Sequence, residues 1–274
     1  MTLAIIIVSY NTRADLERCL ASLSASPPSM PHEIVVVDNA STDGSPDAIR
    51  MRWPGVRLIP LPANVGFSAG NNAGIRQTRS DLILLLNSDT VVPPGAIDRL
   101  VARLAAHPPA AVAGPRLVDD EGRLEISFGR MISPLAEAAQ KAAGTLYERR
   151  FGPVERWLRR AASAERYVDW VSGACLLVWR ADAEAAGLLD ERYFLYTEDV
   201  DFCASIRRRG RRVLFTPETQ ITHLRGRSRA AAPKAMNAAY RRSQVAFYEK
   251  HHPRWAPLLR AYLRLKGALP PRQA

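Results

Sequence analysis

The chain is poor in cysteine. Cys19, Cys175 and Cys203 are its three, an odd number without metal-type spacing. That argues against a disulfide framework and fits a reducing compartment. Long apolar runs are also missing, so no stretch approaches the roughly 20 residues of a membrane-spanning helix. Leu3 to Val8 is apolar, but it lacks a basic lead-in and runs into Ser9-Tyr10-Asn11, so it reads as a strand and not a signal peptide. Two nucleotide-binding patterns are absent. No G-x-G-x-x-G follows the first strand, which excludes the usual dinucleotide site, and no G-x-x-x-x-G-K-[ST] marks a P-loop. Acid is scarce at one end. Residues 224–274 hold 12 of the 38 Lys and Arg but one of the 27 Asp and Glu, Glu249. The whole net charge of +11 therefore sits in that segment, and residues 1–223 are neutral.

What is present begins with a 47% hydrophobic composition, enough for a sizeable core. Leu82 to Leu86 is an unbroken apolar run, as in a strand buried on both faces. It stops at Asn87-Ser88-Asp89, whose first and third side chains share one side of an extended chain. Further strands are expected at Leu3–Val8, Glu33–Val37, Val56–Leu61, Ala110–Val118, Val168–Trp179, Arg212–Thr216 and Ile221–His223. Helices are expected over Asp15–Ser24, in two or more pieces between Ser133 and Arg166, and over Lys234–Lys266. Another starts in the Gly- and Asn-rich stretch 64–74, one runs from Pro93 to His107, and one follows Thr197 as its cap and stops at Gly210. Strand and helix alternate four times in ninety residues, which predicts an α/β fold with a mostly parallel central sheet flanked by helices.

Parallel strands bring their carboxyl ends to one edge, where ligands bind. Ser9, Tyr10, Asn11, Asp38, Asn87, Ser88 and Asp89 all fall at such ends. A carboxylate such as Asp38 can accept the ring N–H of uracil, thymine or guanine. Backbone N–H groups at a helix start can face phosphate or sugar. Asp89 with a divalent cation would neutralise a diphosphate. Together these describe a nucleoside-diphosphate site.

Five motifs then occur in order: Val8-Ser9-Tyr10-Asn11; Val37-Asp38-Asn39-Ala40-Ser41-Thr42-Asp43-Gly44; Asn64-x-Gly66-Phe67-x-x-Gly70-Asn71-Asn72-x-Gly74; Leu86-Asn87-x-Asp89; and Tyr196-x-Glu198-Asp199-x-Asp201. Over about residues 3–228 the chain resembles the family 2 inverting glycosyltransferases of GT-A fold, in particular their bacterial rhamnosyltransferase-like branch. The resemblance implies transfer of a sugar, best rhamnose from dTDP-rhamnose, to a hydroxyl of a lipid-linked or polysaccharide acceptor in cell-surface glycan synthesis. It implies Asp199 as catalytic base beside Glu198, with Asp201 close enough in sequence to exchange roles with Asp199. Ser9, Tyr10, Asn11, Asp38, Asn64, Gly66, Gly70, Asn71, Asn87, Ser88 and Asp89 would hold the donor, and Trp170, Gly173 and Asp201 the acceptor. Asp89 and His223 would hold Mn²⁺ or Mg²⁺. Asn87 departs from the usual D-x-D pattern and brings no charge, which leaves Asp89 as the one carboxylate of that pair.

The organisation expected is one domain over 1–228 and a basic helical tail over 229–274. The domain divides into a nucleotide-binding half, 1–118, and an acceptor and catalytic half, 119–228. A basic tail suits an anionic membrane leaflet and no nucleic acid is expected as partner, so a cytoplasmic protein peripheral to the inner membrane face is anticipated. Two alternatives compete: a nucleotidyltransferase acting on a sugar phosphate, and a non-catalytic basic adaptor.

Overall fold

The computed structural model of the chain describes residues 1–224 and 233–268. Strands β1 (Leu3–Ser9), β2 (His32–Asp38), β3 (Arg57–Pro60) and β4 (Leu82–Leu86) alternate with helices α1 (Arg13–Ala25), α2 (Ser45–Arg52) and α3 (Phe67–Arg76). After β4 come β5 (Thr90–Val91), α4 (Ala96–Ala105) and β6 (Ala110–Val118). A region of smaller elements holds β7 (Phe128–Gly129), α5 (Pro134–Glu148), α6 (Gly152–Ala161), β8 (Arg166–Val168) and β9 (Trp170–Val171). The chain then forms β10 (Cys175–Trp179), α7 (Arg180–Ala186), α8 (Glu198–Arg208), β11 (Arg212–His223), α9 (Pro233–His251) and α10 (Ala256–Leu265).

The main sheet has nine strands in the order β3-β2-β1-β4-β10-β6-β11-β5, with β8 also on β11. Six strands (β1, β2, β3, β4, β6 and β11) run one way, and β10 is inserted antiparallel between β4 and β6. The mostly parallel sheet expected from the alternation is therefore present, with one reversed strand near its centre. Antiparallel β10 starts where its parallel neighbours end, since Cys175 lies opposite Leu86. The residues just before β10 thus join the carboxyl edge of the sheet.

Both faces of the sheet are covered, which is why its central strands read as unbroken apolar runs. Ile5, Ile7, Leu82 and Leu84 pack with Leu16 and Leu20 of α1 and Ile97 and Leu100 of α4. Ile6, Ile83 and Leu85 point the other way, into a cluster with Ile75 of α3, Phe202 and Ile206 of α8, and Phe247 and Tyr248 of α9. Helix α3 lies close on β1, because a Cβ on Gly74 would sit 2.6 Å from Ile6 Cγ2.

Two expectations are revised. Val168–Trp179 is not one strand: it breaks at Asp169 and again at Ser172–Ala174, where Ser172 N–H turns to Ser127 O. Conversely, Arg212–His223 is one continuous strand, and it keeps its pairing with β6 through a register shift between Thr216 and Gln220. Pro217, which has no N–H to donate, sits inside that irregularity. Helices α9 and α10 agree with the helical spacing read in the C-terminal segment. Residues 229–232 and 269–274 of the expected tail lie outside the described residues, as do Gly226 and Ser228.

Helix α9 is integral to the core, with Phe247 fully buried. Truncation of a core Phe costs about 3–5 kcal/mol. Phe247→Ala is accordingly expected to lower the unfolding free energy of the whole domain by that amount in a urea titration. A detachable tail would leave the main transition unmoved.

Candidate active site

The ends of β1 and β2 are tied together. Ser9 lies in register with Asp38. Beyond them, Asn11 N–H donates to Ser41 Oγ at 2.9 Å, and Thr42 N–H to Asn11 Oδ1 at 2.7 Å. Asn11 and Ala40 both take positive φ, 52° and 65°, so each strand turns sharply at the edge. Asp38 is 2% exposed; its Oδ2 accepts Ser41 N–H at 3.0 Å, and its Oδ1 is buried with no partner. A buried carboxylate oxygen without a donor is costly, and a ring N–H of a nucleobase would satisfy it. Tyr10 is exposed beside this corner, and Ser9 Oγ contacts Thr12 Oγ1, which in turn contacts Ser88 Oγ, each at 3.0 Å.

The Gly- and Asn-rich stretch splits into two roles. Asn39 donates to Asn64 Oδ1 and Gly66 O and accepts Val65 N–H, which braces the loop before α3. Gly66 has φ 87°, and a Cβ there would lie 2.5 Å from Phe194 O. Phe67 N–H donates to that same carbonyl at 2.7 Å. The loop is thereby docked on the segment leading into α8. Gly70 is buried inside α3 against Val8, so its absent side chain serves helix–sheet packing and its N–H is spent within the helix, on Gly66 O. Asn71 is buried with Nδ2 on Phe67 O and Oδ1 unpartnered.

Past β4, Asn87 and Asp89 do share one side, and both reach His223 from the end of β11. Asp89 Oδ1 is 3.1 Å from His223 Nε2, and Asn87 Nδ2 is 3.3 Å from it. His223 Nδ1 is held at 2.9 Å by Glu125, a buried carboxylate on the turn after β6. Burial would lower the pKa of this imidazole, but hydrogen bonds to Asp89 and Glu125 prevail and raise it to about 9. Asn87 Oδ1 is buried without a partner. Among the described residues no three His, Cys, Asp or Glu side chains converge as a metal cage. One carboxylate and one imidazole, beside an orphaned amide oxygen, do fit a cation that completes its shell from a diphosphate and water.

The edge continues through the turn before β10. Asn87 N–H donates to Ala174 O at 3.0 Å, and Gly173 N–H donates to Asp199 Oδ2 at 2.8 Å. A Cβ on Gly173 would stand 3.3 Å from Asp199 Cβ. Asp199 Oδ1 also accepts Val200 N–H at 2.8 Å. Tyr196 and Thr197, with φ 70° and 67°, form a strained left-handed pair just before these acids. Thr197 holds the cap position of α8, but its hydroxyl donates to Tyr196 O and caps nothing, contrary to expectation. Glu198 is buried and its Oε2 has no partner. Burial, then the Asp199 charge, drive the Glu198 pKa well up. Burial also raises Asp199, against the opposing pull of the Gly173 and Val200 N–H groups. The acid with the N–H donors ionises first, so Asp199 carries the charge and Glu198 the proton.

A family model described as Glycosyl transferase family 2 matches residues 4–168. Over 97% of this chain and 92% of the relative, the sequence is 33% identical to N-acetylglucosaminyl-diphospho-decaprenol L-rhamnosyltransferase of Mycobacterium tuberculosis. The chain belongs to glycosyl transferase family 2. The fold is similar to a mannosyltransferase from Pyrobaculum calidifontis solved with GDP-Man and Mn²⁺ (TM-score 0.62, 19% identity, 95% of this chain, 68% of that one). It is also similar to GalNAc-T7 solved with UDP, GalNAc and Mn²⁺ (TM-score 0.61, 17% identity, 82% of this chain). The chain spans 44% of the length of that second structure. The GT-A fold expected from the motifs is thus present, and the protein is a glycosyltransferase, not a nucleotidyltransferase or an adaptor.

Within this family 2 chain, the acceptor-side residues separate. Gly173 touches Asp199. Trp170 is buried in β9, its indole N–H on Arg130 O at 2.8 Å. Asp201 points away from Asp199, being two residues on along α8, and is 1% exposed. It pairs with Lys250 at 2.8 Å and His251 at 2.6 Å on α9, and Tyr193 OH adds a third contact. Burial works against the Asp201 anion, and the His251 and Lys250 bonds overcome it, holding the carboxyl below its usual range. Asp201 therefore clamps α9 to α8 and lies apart from Asp199, so the exchange of roles has no geometric support. Glu125, Asn39, Lys250 and His251 were not expected at or behind the site. Asn39 stands inside a quoted motif and was readable there; the other three have no local pattern.

The buried, protonated Glu198 has a measurable cost. Where the unfolded chain would ionise it and the folded chain does not, stability falls as pH rises from the ordinary glutamate value toward the raised one. Glu198→Gln removes that penalty. Its unfolding midpoint is expected to exceed wild type at pH 7 and to converge with it below about pH 3, where both states keep the proton.

Proposed function

We propose that this protein is an inverting rhamnosyltransferase. Its donor is dTDP-rhamnose, and its acceptor is the N-acetylglucosaminyl unit of a polyprenyl diphosphate at the cytoplasmic membrane face. The observation that carries this reading is the 33% identity to the mycobacterial rhamnosyltransferase over nearly the full length of both chains. The site supports it. Asp38 Oδ1 would take the N–H of the thymine ring, with Ser9, Tyr10, Asn11, Asn64, Gly66, Asn71 and Ser88 around the nucleoside diphosphate. Gly70 would act from beneath, by letting α3 pack against β1.

Asp199 takes the proton of the acceptor hydroxyl as that oxygen bonds to the anomeric carbon. The bond to the diphosphate oxygen breaks on the opposite face, and the nucleoside diphosphate leaves with the electron pair. Glu198, kept neutral beside Asp199, can donate a hydrogen bond to the acceptor or its ring without competing for the proton. Asp89 and His223 would hold a divalent cation, Mn²⁺ or Mg²⁺, which when bound supplies positive charge to the leaving diphosphate. Glu125 fixes the His223 ring through Nδ1 and leaves Nε2 facing Asp89. The boundary near residue 118 divides donor from acceptor halves, although His223 and Asp89 meet across it.

Two outcomes test this. With dTDP-rhamnose and a polyprenyl diphosphate N-acetylglucosamine, Asp199→Asn is expected to lower kcat by about 10²–10⁴ while dTDP affinity stays within twofold, the range of a lost general base. Near-normal turnover would remove Asp199 from the role. Separately, dTDP with Mn²⁺ is expected to raise the unfolding midpoint by mass action, and Asp89→Ala to abolish the metal-dependent part of that shift. A shift that persists in the variant would place the cation elsewhere.

A further inference from the structure

Helix α10 is apolar on two sides. Ala256 and Leu263 are buried and Leu259 packs against the core, which fixes the helix to the body. Trp255, Leu258, Tyr262 and Leu265 are exposed, at 50%, 60%, 52% and 90%. Their spacing of three, four and three residues, at about 100° per residue, sets all four in an arc of about 80°. Arg254, Arg264 and Lys266 are exposed on the same short helix or at its ends. The lone acid of the segment, Glu249, is already paired with Arg260. The stripe is thus set in uncompensated positive charge, at the end of a chain whose entire net charge lies in its last 51 residues.

We propose that this face of α10 docks on the surface of an anionic phospholipid bilayer, with Trp255, Leu258, Tyr262 and Leu265 entering the headgroup boundary. The proposal deepens the membrane location in the reading above and names the contact. Charge complementarity selects the occupant: Arg254 and Lys266 each lie about 20° beyond an edge of the apolar stripe, the pattern of a helix lying in the interfacial plane. Trp and Tyr suit that depth, since each joins an apolar ring to a polar tip. The helix is too short to span, and no helix among the described residues is long and apolar enough to cross a membrane. Because the adjoining face, with Ala256, Leu259 and Leu263, is already packed on the protein, docking requires no refolding. It would also hold the domain beside an acceptor carried on a lipid.

The test is co-sedimentation of the full chain with phosphatidylcholine vesicles, with and without phosphatidylglycerol, in the absence of nucleotide. Wild type is expected to bind the anionic vesicles and to release as salt rises. Leu258→Ser with Leu265→Ser is expected to weaken binding at least about tenfold. Arg254→Gln and Lys266→Gln should each cost about fivefold, and Arg264→Gln, on the far side of the helix, less than either. An unchanged unfolding midpoint in each variant shows that the fold survives. Equal binding to neutral and anionic vesicles, or none to either, overturns the proposal. So does unaltered binding by the leucine pair, or a wild-type dimer that this pair converts to monomer, since a second copy would then cover the stripe. The readout needs no donor, so a failed dTDP shift would sink the dTDP-rhamnose reading and leave this one standing.

Discussion

The hydrogen bond from Gly173 N–H to Asp199 Oδ2 ties the turn before β10 to the first turn of α8. It exists because β10 runs against its neighbours. A reversed strand begins where parallel strands end, so the turn before it lies on the ligand-binding edge. There it meets Asn87 through Ala174 O on one side and Asp199 on the other. A side chain would crowd that approach, since a Cβ would stand 3.3 Å from the aspartate's own Cβ. One turn thus sets the spacing between Asn87 and Asp199.

Much of the remaining structure braces that arrangement. The Asn39–Asn64 network docks the Gly66 loop on Phe194, just upstream of the strained Tyr196–Thr197 pair. On the other side of α8, Asp201 binds Lys250 and His251. Helix α9 also carries Tyr240, Gln244 and Tyr248 to Glu137 of α5. The same helix therefore grips α8 and α5, the first of the helices inserted between β7 and β8. Part of the basic segment expected as a tail is thus packed into the body through α9, and α10 carries exposed apolar side chains.

Charge is distributed by environment and not by residue type. Three of the acids near the site, Glu198, Asp199 and Asp201, lie within four residues of one another and take different states. Burial, and then the Asp199 charge, favour the proton on Glu198. Two backbone N–H groups favour the anion at Asp199 although burial opposes it. Two cationic partners hold Asp201 below its usual range. Neighbouring acids are thereby pushed apart in their readiness to ionise.

What the amino-acid sequence determined by itself was whatever depends on neighbours in the chain. Unbroken apolar runs specified a covered sheet, alternation specified parallel strands, and the ordered motifs placed Ser9, Asp38, Asn87 and Asp89 at strand ends. Asn87 and Asp89 on one side followed from a period of two. The tertiary structure decided what depends on packing between distant segments. The reversal of β10 reached the Gly173 turn to Asp199, and the turn after β6 brought Glu125 to His223, 98 residues away. The pairing of Asp201 with α9 was equally hidden. A local pattern at 198–201 makes all three acids look alike, because helical spacing says which way a side chain leaves the helix and nothing about which partner waits there.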